Sequence, residues 1–254
     1  MPTAPCRPHR ADYTGEVASW FKSRRLPVEV PRLKPRSEHP GTERIDLAEI
    51  APELLPYLGQ AAYLQLEAFQ GLAGVVRAVP RLDAKEELSA AAGLTLGKFQ
   101  GLVAEIRRHD AEPVDVMRPF TASIDRLQQL TTGSDWQETL LGVHVTTGLL
   151  DDFFIRLAGG LPKDVGPRAA QLLGSDAGSE SIGRILEAEL AADPALGSRL
   201  AMWGRRLVGD TLLIARSALH NTGNDSSDQQ RIEPVFTDVI AAHTRRMDAL
   251  GLTA

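Results

Sequence analysis

Apolar residues recur at alternating steps of three and four through much of the chain, the spacing that gathers them on one face of an α-helix. Over residues 83–108 the stripe is Leu88, Ala92, Thr95, Phe99, Leu102 and Ile106; over 197–219 it is Leu200, Trp203, Leu207, Asp210, Ile214 and Ser217. Residues 56–79 are opened by Pro56 and stopped by Pro80. Residues 136–157 are apolar around most of the circumference, which places that helix centrally. These four segments are expected as the long helices of a bundle, with a long crossover between the second and third. A shorter helix is expected over 121–130, carrying Ile124, Leu127 and Leu130, and short helical turns over 166–196 around Leu172, Ile182, Leu186 and Leu190. After the polar loop NTGNDSSDQQ comes a terminal helix whose shared face is read as Phe236, Ile240, His243, Met247 and Leu250. That helix is expected to pack back on the bundle or on a second copy of the chain, because an isolated helix of its length is marginal in water.

The beginning of the chain differs in kind. Pro2, Pro5, Pro8, Pro27, Pro31, Pro35 and Pro40 exclude continuous helix there and predict a partly extended arm over 1–45, with one short amphipathic piece at 13–21 and a short helix through Ile50 and Leu54. The expected organisation is therefore the arm (1–45), a helical bundle (46–220), and a loop plus C-terminal amphipathic helix (221–254). No stretch alternates as a strand would, so the fold class is all-α.

Composition narrows the function. The formal net charge of -5 gives no support to nucleic-acid binding, and no run approaches the length of a membrane span. Arg7 and Arg10 have no apolar run behind them, so the chain is expected in the cytoplasm. The single cysteine, Cys6, has no second thiol for a disulfide or a structural zinc site. Phosphate loops, a nucleophile elbow and paired cysteines are missing.

The phrases YLGQAAYLQLEAFQGL (57–72), KFQGLVAEI (98–106), DDFFIRLA (151–158) and above all RLAMWGRRLVGD (199–210), with the tail AAHTRRMDALGL, resemble a family of ferritin-like proteins. That family is filed as similar to the hydroxylase acting on the isopentenylated, methylthiolated adenosine of tRNA. The resemblance implies a ferritin-like four-helix bundle; for activity it implies much less, because one fold hosts many functions.

A carboxylate-bridged di-iron bundle needs a Glu from each of two helices and Glu-x-x-His from each of the other two. The chain can be searched completely for that motif. Three residues before the six histidines (His9, His39, His109, His144, His220 and His243) stand Cys6, Arg36, Ile106, Leu141, Ser217 and Ile240, none of them Glu. Where the family resemblance places the motif on the second helix, the inward residues are Thr95 and Lys98, and an ammonium has no lone pair to offer a metal. Gln65 is the polar residue nearest the apolar face of the first helix, with Glu67 on the opposite side as a solvated charge. An interior polar cluster at the replaced-ligand positions is expected from Gln65, Thr95, Lys98, Asp151, Asp152, Arg206 and Asp210, with Arg206 bonding a carboxylate in the bundle centre. No metal is expected; the fallback is a mononuclear iron or manganese site made by His144, Asp151 and Asp210. His243 reads as a packed core histidine with one hydrogen bond. Gly97, Gly101, Gly148, Gly204 and Gly209 read as points of close helix contact.

Three functions compete on this basis. The first is a non-catalytic ferritin-like scaffold binding a protein partner or itself as a homodimer. The second is a divergent metal oxidoreductase resembling the tRNA hydroxylase. The third is a bundle binding a small molecule, with Gln65, Thr95, Lys98, Arg206 and Asp210 lining a cavity for an anion.

Overall fold

The computed structural model describes residues 53–220 and 228–252, all within the unit Ile45–Ala254. The Pro-rich arm with Cys6, the short piece at 13–21 and the turn through Ile50 lie outside the described residues. Four long helices form the body: α1 (Leu54–Ala78), α2 (Leu82–Arg108), α5 (Trp136–Ala158) and α8 (Pro194–His220). Between α2 and α5 the chain crosses over through α3 (Pro113–Met117), a 3-10 turn (Arg118–Phe120) and α4 (Thr121–Thr131). Between α5 and α8 lie α6 (Gly166–Gly174) and α7 (Ser179–Ala192), and the terminal helix is α9 (Asp228–Ala249). No strand occurs among the described residues, and no described helix is long and apolar enough to cross a membrane.

The start of each of the two later long helices is set by identifiable chemistry. Asp135 caps α5 by accepting the Glu138 amide at 2.9 Å, while the Glu138 carboxylate turns back to accept from the Ser134 amide and hydroxyl. This reciprocal arrangement satisfies amides that the first turn leaves without partners. Arg199 of α8 then bonds both Asp135 and Glu138, and the Trp203 indole N–H donates to the Glu138 carbonyl at 3.0 Å. The start of α5 is thereby tied to α8. Pro194 takes the first position of α8, where a missing N–H costs nothing, and Asp193 accepts the Ala195 amide at 3.0 Å.

Two apolar clusters fill the bundle. One holds Tyr57, Leu58, Leu102, Ile106, Leu149, Phe153 and Phe154; the other holds Leu72, Leu88, Leu140, Leu141, Val145 and Leu186. Tyr57 joins α1 to α5 inside the first, donating its buried hydroxyl to the Phe154 carbonyl at 2.8 Å. On α1 the change from one cluster to the other falls between Leu64 and Ala68, on α2 between Ala92 and Leu102, and on α5 between Val145 and Leu149. Gln65, Thr95, Lys98, Thr146 and Thr147 occupy those intervals. The core is therefore interrupted across three helices by one polar layer.

The terminal helix packs through Val239, His243, Met247 and Leu250, with Phe236 stacked on Phe153 at 5.9 Å. Ile240, which the sequence reading places on that face, is 40% exposed. The buried stripe steps through Phe236, Val239, His243 and Met247, and Ile240 lies a further ~100° around the helix from Val239. Of the glycines read as helix contacts, Gly101, Gly148 and Gly204 face the Leu172, Arg246 and Met247 side chains. At Gly97 and Gly209 a Cβ would meet nothing within 4 Å, so close approach does not account for them.

Candidate functional site

The polar layer is centred on two ion pairs. Lys98 reaches inward from α2 and is 4% exposed; its ammonium donates to Asp151 Oδ2 at 2.9 Å and to the Leu173 carbonyl at 2.6 Å. Leu173 lies in the last turn of α6, where carbonyls lack helical partners and the helix end carries partial negative charge. Gln65 of α1 donates Nε2 to the other oxygen, Asp151 Oδ1, at 2.7 Å. Both oxygens of Asp151 are thus engaged, by two different helices. Burial pushes this carboxyl above its ordinary range and neighbouring Asp152 adds to the rise, while Lys98 and Gln65 pull it down. Thr95 is buried one turn before Lys98, but its hydroxyl donates to the Ala91 carbonyl of its own helix at 3.0 Å.

The second pair is part-buried and joins α5 to the terminal helix: Arg246 Nη2 donates to Asp152 Oδ2 at 2.7 Å. Its guanidinium lies against Gly148, where a Cβ would stand 2.6 Å from Arg246 Nε, so glycine makes room for the charge. The sequence reading gives this role to Arg206. Arg206 is instead exposed on α8, its guanidinium 5.3 Å from the centre of the Trp203 ring. Stepping from buried Leu207, Arg206 lies one residue off the inward stripe and meets solvent, and the cation that faces Asp152 comes from α9. Asp210 is half-buried on α8 and does not join the Asp151 pair.

His144 stands on α5 two turns before Asp151, lining the same space as Lys98, Asp151, Asp152 and Arg246. Burial, with Arg246 nearby, pushes its pKa down to about 4, so it is neutral at pH 7. His243 is 2% exposed, and neither ring nitrogen has a hydrogen-bond partner, contrary to the single bond read from sequence. Burial lowers its pKa also. Glu67 is partly buried rather than fully solvated, beside Tyr63, Gln70 and Asp125, and burial and Asp125 raise its pKa.

Beside the pairs lies a cavity of about 360 Å³. Thr95, Lys98, His144, Thr147, Asp152 and Arg246 give its polar wall; Leu72, Val143, Ile155 and Ile182 give its apolar wall. A small second cavity, about 30 Å³, touches Gln65, Thr146 and Asp151 from the other side. Gln65 Oε1 and the Thr146 hydroxyl are buried without partners.

A di-metal centre does not fit these groups. The carboxylate best placed to serve it, Asp151, is held by an ammonium at 2.9 Å, and a nearby unit cation opposes a divalent ion by several kcal/mol at an effective dielectric of about 20. The fallback set is not brought together: among the described residues no three His, Cys, Asp or Glu side chains are placed to hold a metal.

Arg246 is the residue that sequence reading misses. Its position three residues after His243, on the side of the helix next to the apolar stripe, is the only signal, and the pairing with Asp152 spans 94 residues. Glu105 is missed likewise. It is 0% exposed and accepts from Arg168 Nη2 at 2.6 Å and Arg108 Nη1 at 2.6 Å, fastening α2 to α6.

No curated protein matches the chain. A family model described as a ferritin-like domain of actinomycetes matches residues 51–223. That span takes in α1 to α8 and the whole polar layer except Arg246, and the chain belongs to this ferritin-like family.

Proposed function

We propose that this ferritin-like bundle binds a small molecule at its centre and does not perform metal-dependent redox chemistry there. The observation that carries the reading is the cavity of about 360 Å³ set against the Lys98–Asp151 pair. Ligand sites in proteins run from about 300 to 1,000 Å³ and combine apolar walls with a few convergent polar groups, and this cavity has both. The ion pairs supply a second element. Each charge is neutralised by a partner on another helix, so the layer fixes the register of α1, α2, α5 and α9 around the cavity without an ion to organise it.

The tRNA-hydroxylase-like reading requires a metal, and Asp151, the acid its fallback site would use, is held by Lys98 at 2.9 Å. An anion, the occupant named by the small-molecule alternative read from sequence, finds Arg206 outside and both Lys98 and Arg246 already paired.

The test is a thermal-shift screen of small organic molecules against the wild type and Thr147→Phe, which fills the cavity from a half-buried wall position. Hits that raise the Tm of the wild type and not of the folded variant support the reading. Hits that act equally on both place binding elsewhere and overturn it.

A further inference from the structure

The chemistry of the cavity wall goes further than the fact of a cavity and indicates what kind of molecule it selects. Four charged side chains face it from within: Lys98 and Asp151 form one pair at 2.9 Å, Arg246 and Asp152 the other at 2.7 Å. A further acid on the wall, Asp176, is exposed at the rim, where its Oδ1 accepts the Gly178 and Ser179 amides and so answers the positive end of α7. The interior charge is balanced before any ligand arrives. A ligand with a net charge would bring a charge into this partly desolvated space with no countercharge left to meet it.

With the charges paired, what remains open on the wall is hydrogen-bonding capacity, and Arg246 contributes to it through Nη1, which is buried without a partner. An ammonium has three protons, and Lys98 uses two of them on Asp151 and Leu173. The Thr147 hydroxyl can donate and accept. His144 is neutral at pH 7, so its ring presents one donor and one acceptor. Opposite these groups the wall is aliphatic. A cavity of about 150 Å³ is large enough for benzene, so about 360 Å³ has room for a ring with a polar substituent and more.

We propose that the cavity selects an uncharged organic molecule that has an apolar body and a head able both to donate and to accept hydrogen bonds, such as an amide or a neutral heterocycle. This rests on the small-molecule reading above and specifies its ligand class.

Benzamide, benzoate and benzamidinium test it directly, because they share one planar shape and differ in head charge. Each is titrated at millimolar concentration into ¹⁵N-labelled full-length protein at pH 7, following the amides of Thr147 and Gly148 and of residues 175–179. The expected order in the wild type is benzamide first, by about tenfold over both charged isosteres, since an unanswered charge is the discriminating cost. The order should also be reprogrammable. Asp152→Asn leaves Arg246 without its countercharge and should make benzoate the best ligand, whereas Arg246→Gln should favour benzamidinium. A wild type that prefers either charged isostere, or an order unchanged in both variants, overturns the uncharged-ligand inference while leaving small-molecule binding in place. Failure of all three to move the cavity amides, together with no hit in the thermal-shift screen that Thr147→Phe removes, overturns the small-molecule reading itself.

Discussion

The Lys98 ammonium lies 2.9 Å from Asp151 Oδ2, between two helices of a bundle whose fold elsewhere houses metals, and it also donates to the Leu173 carbonyl at 2.6 Å. Removing one member of such a pair leaves the other buried and unanswered. Lys98→Met is therefore expected to cost on the order of 3 to 5 kcal/mol at pH 7, measured by urea unfolding. Asp151→Asn added to Lys98→Met should recover most of that loss, because a neutral amide needs no countercharge and its oxygen can still accept from Gln65. Independent, additive losses in the double variant would show that the two residues are not coupled.

The same pair fixes the sign of a pH effect. The Asp151 carboxyl is raised by burial, so between the ordinary carboxylate range and its folded-state pKa the native chain holds a proton that the unfolded chain has already released. Its contribution to stability therefore falls as pH rises through that range. Lys98→Met removes the group that opposes the rise and pushes the carboxyl higher still. The penalty of Lys98→Met should accordingly shrink as the medium is acidified from pH 7, and a penalty independent of pH would contradict the assignment.

His144, partly buried, and His243, buried, act in the opposite sense. His144 is held at about 4 against an ordinary value of 6.5, so between those values the unfolded chain binds protons that the native chain does not. Stability from this source is complete above pH 6.5 and is lost as pH falls toward 4, by on the order of 3 kcal/mol at most for a group not wholly sealed from solvent. His243 adds in the same direction. The urea midpoint of the wild type should therefore be lower at pH 5 than at pH 7, and the drop should be smaller for His144→Gln.

Packing of the terminal helix can be separated from its electrostatics. Met247 is 0% exposed and sits over Gly204 of α8, so Met247→Ala should cost about 2 to 5 kcal/mol. Ile240→Ala, at a position 40% exposed, should change stability by less than about 0.5 kcal/mol. The reverse order in thermal unfolding would restore the face read from sequence.

How far the sequence discloses this protein depends on the range of the interaction. The helices are legible because their causes are local: the spacing of Leu88, Ala92 and Leu102, the stop at Pro80, the break at Asp193-Pro194. α8 begins three residues before the expected 197 because proline at its first position is a start, not an interruption. Lys98 stands out because a cation on an apolar stripe breaks a one-dimensional pattern. Its partner does not, since Asp151 and Asp152 both lie near the inward side of a helix that is apolar nearly all round. The choice of Arg206 over Arg246 fails for the same reason: which of two arginines meets a carboxylate 94 residues from one of them depends on how α9 crosses α5, and no spacing within α9 encodes that. The cavity is less legible still, being a property of the gap between helices.

Metal content separates an ion-paired centre from a divergent metal site most directly. The full-length protein, grown with iron and manganese in the medium and purified without chelator, should contain well below one equivalent of either metal by mass spectrometry. Lys98 bonded to Asp151 is the reason. Near-stoichiometric iron or manganese, lost on changing His144 or Asp210 to alanine, would contradict it and return the bundle to the metal-dependent oxidoreductases.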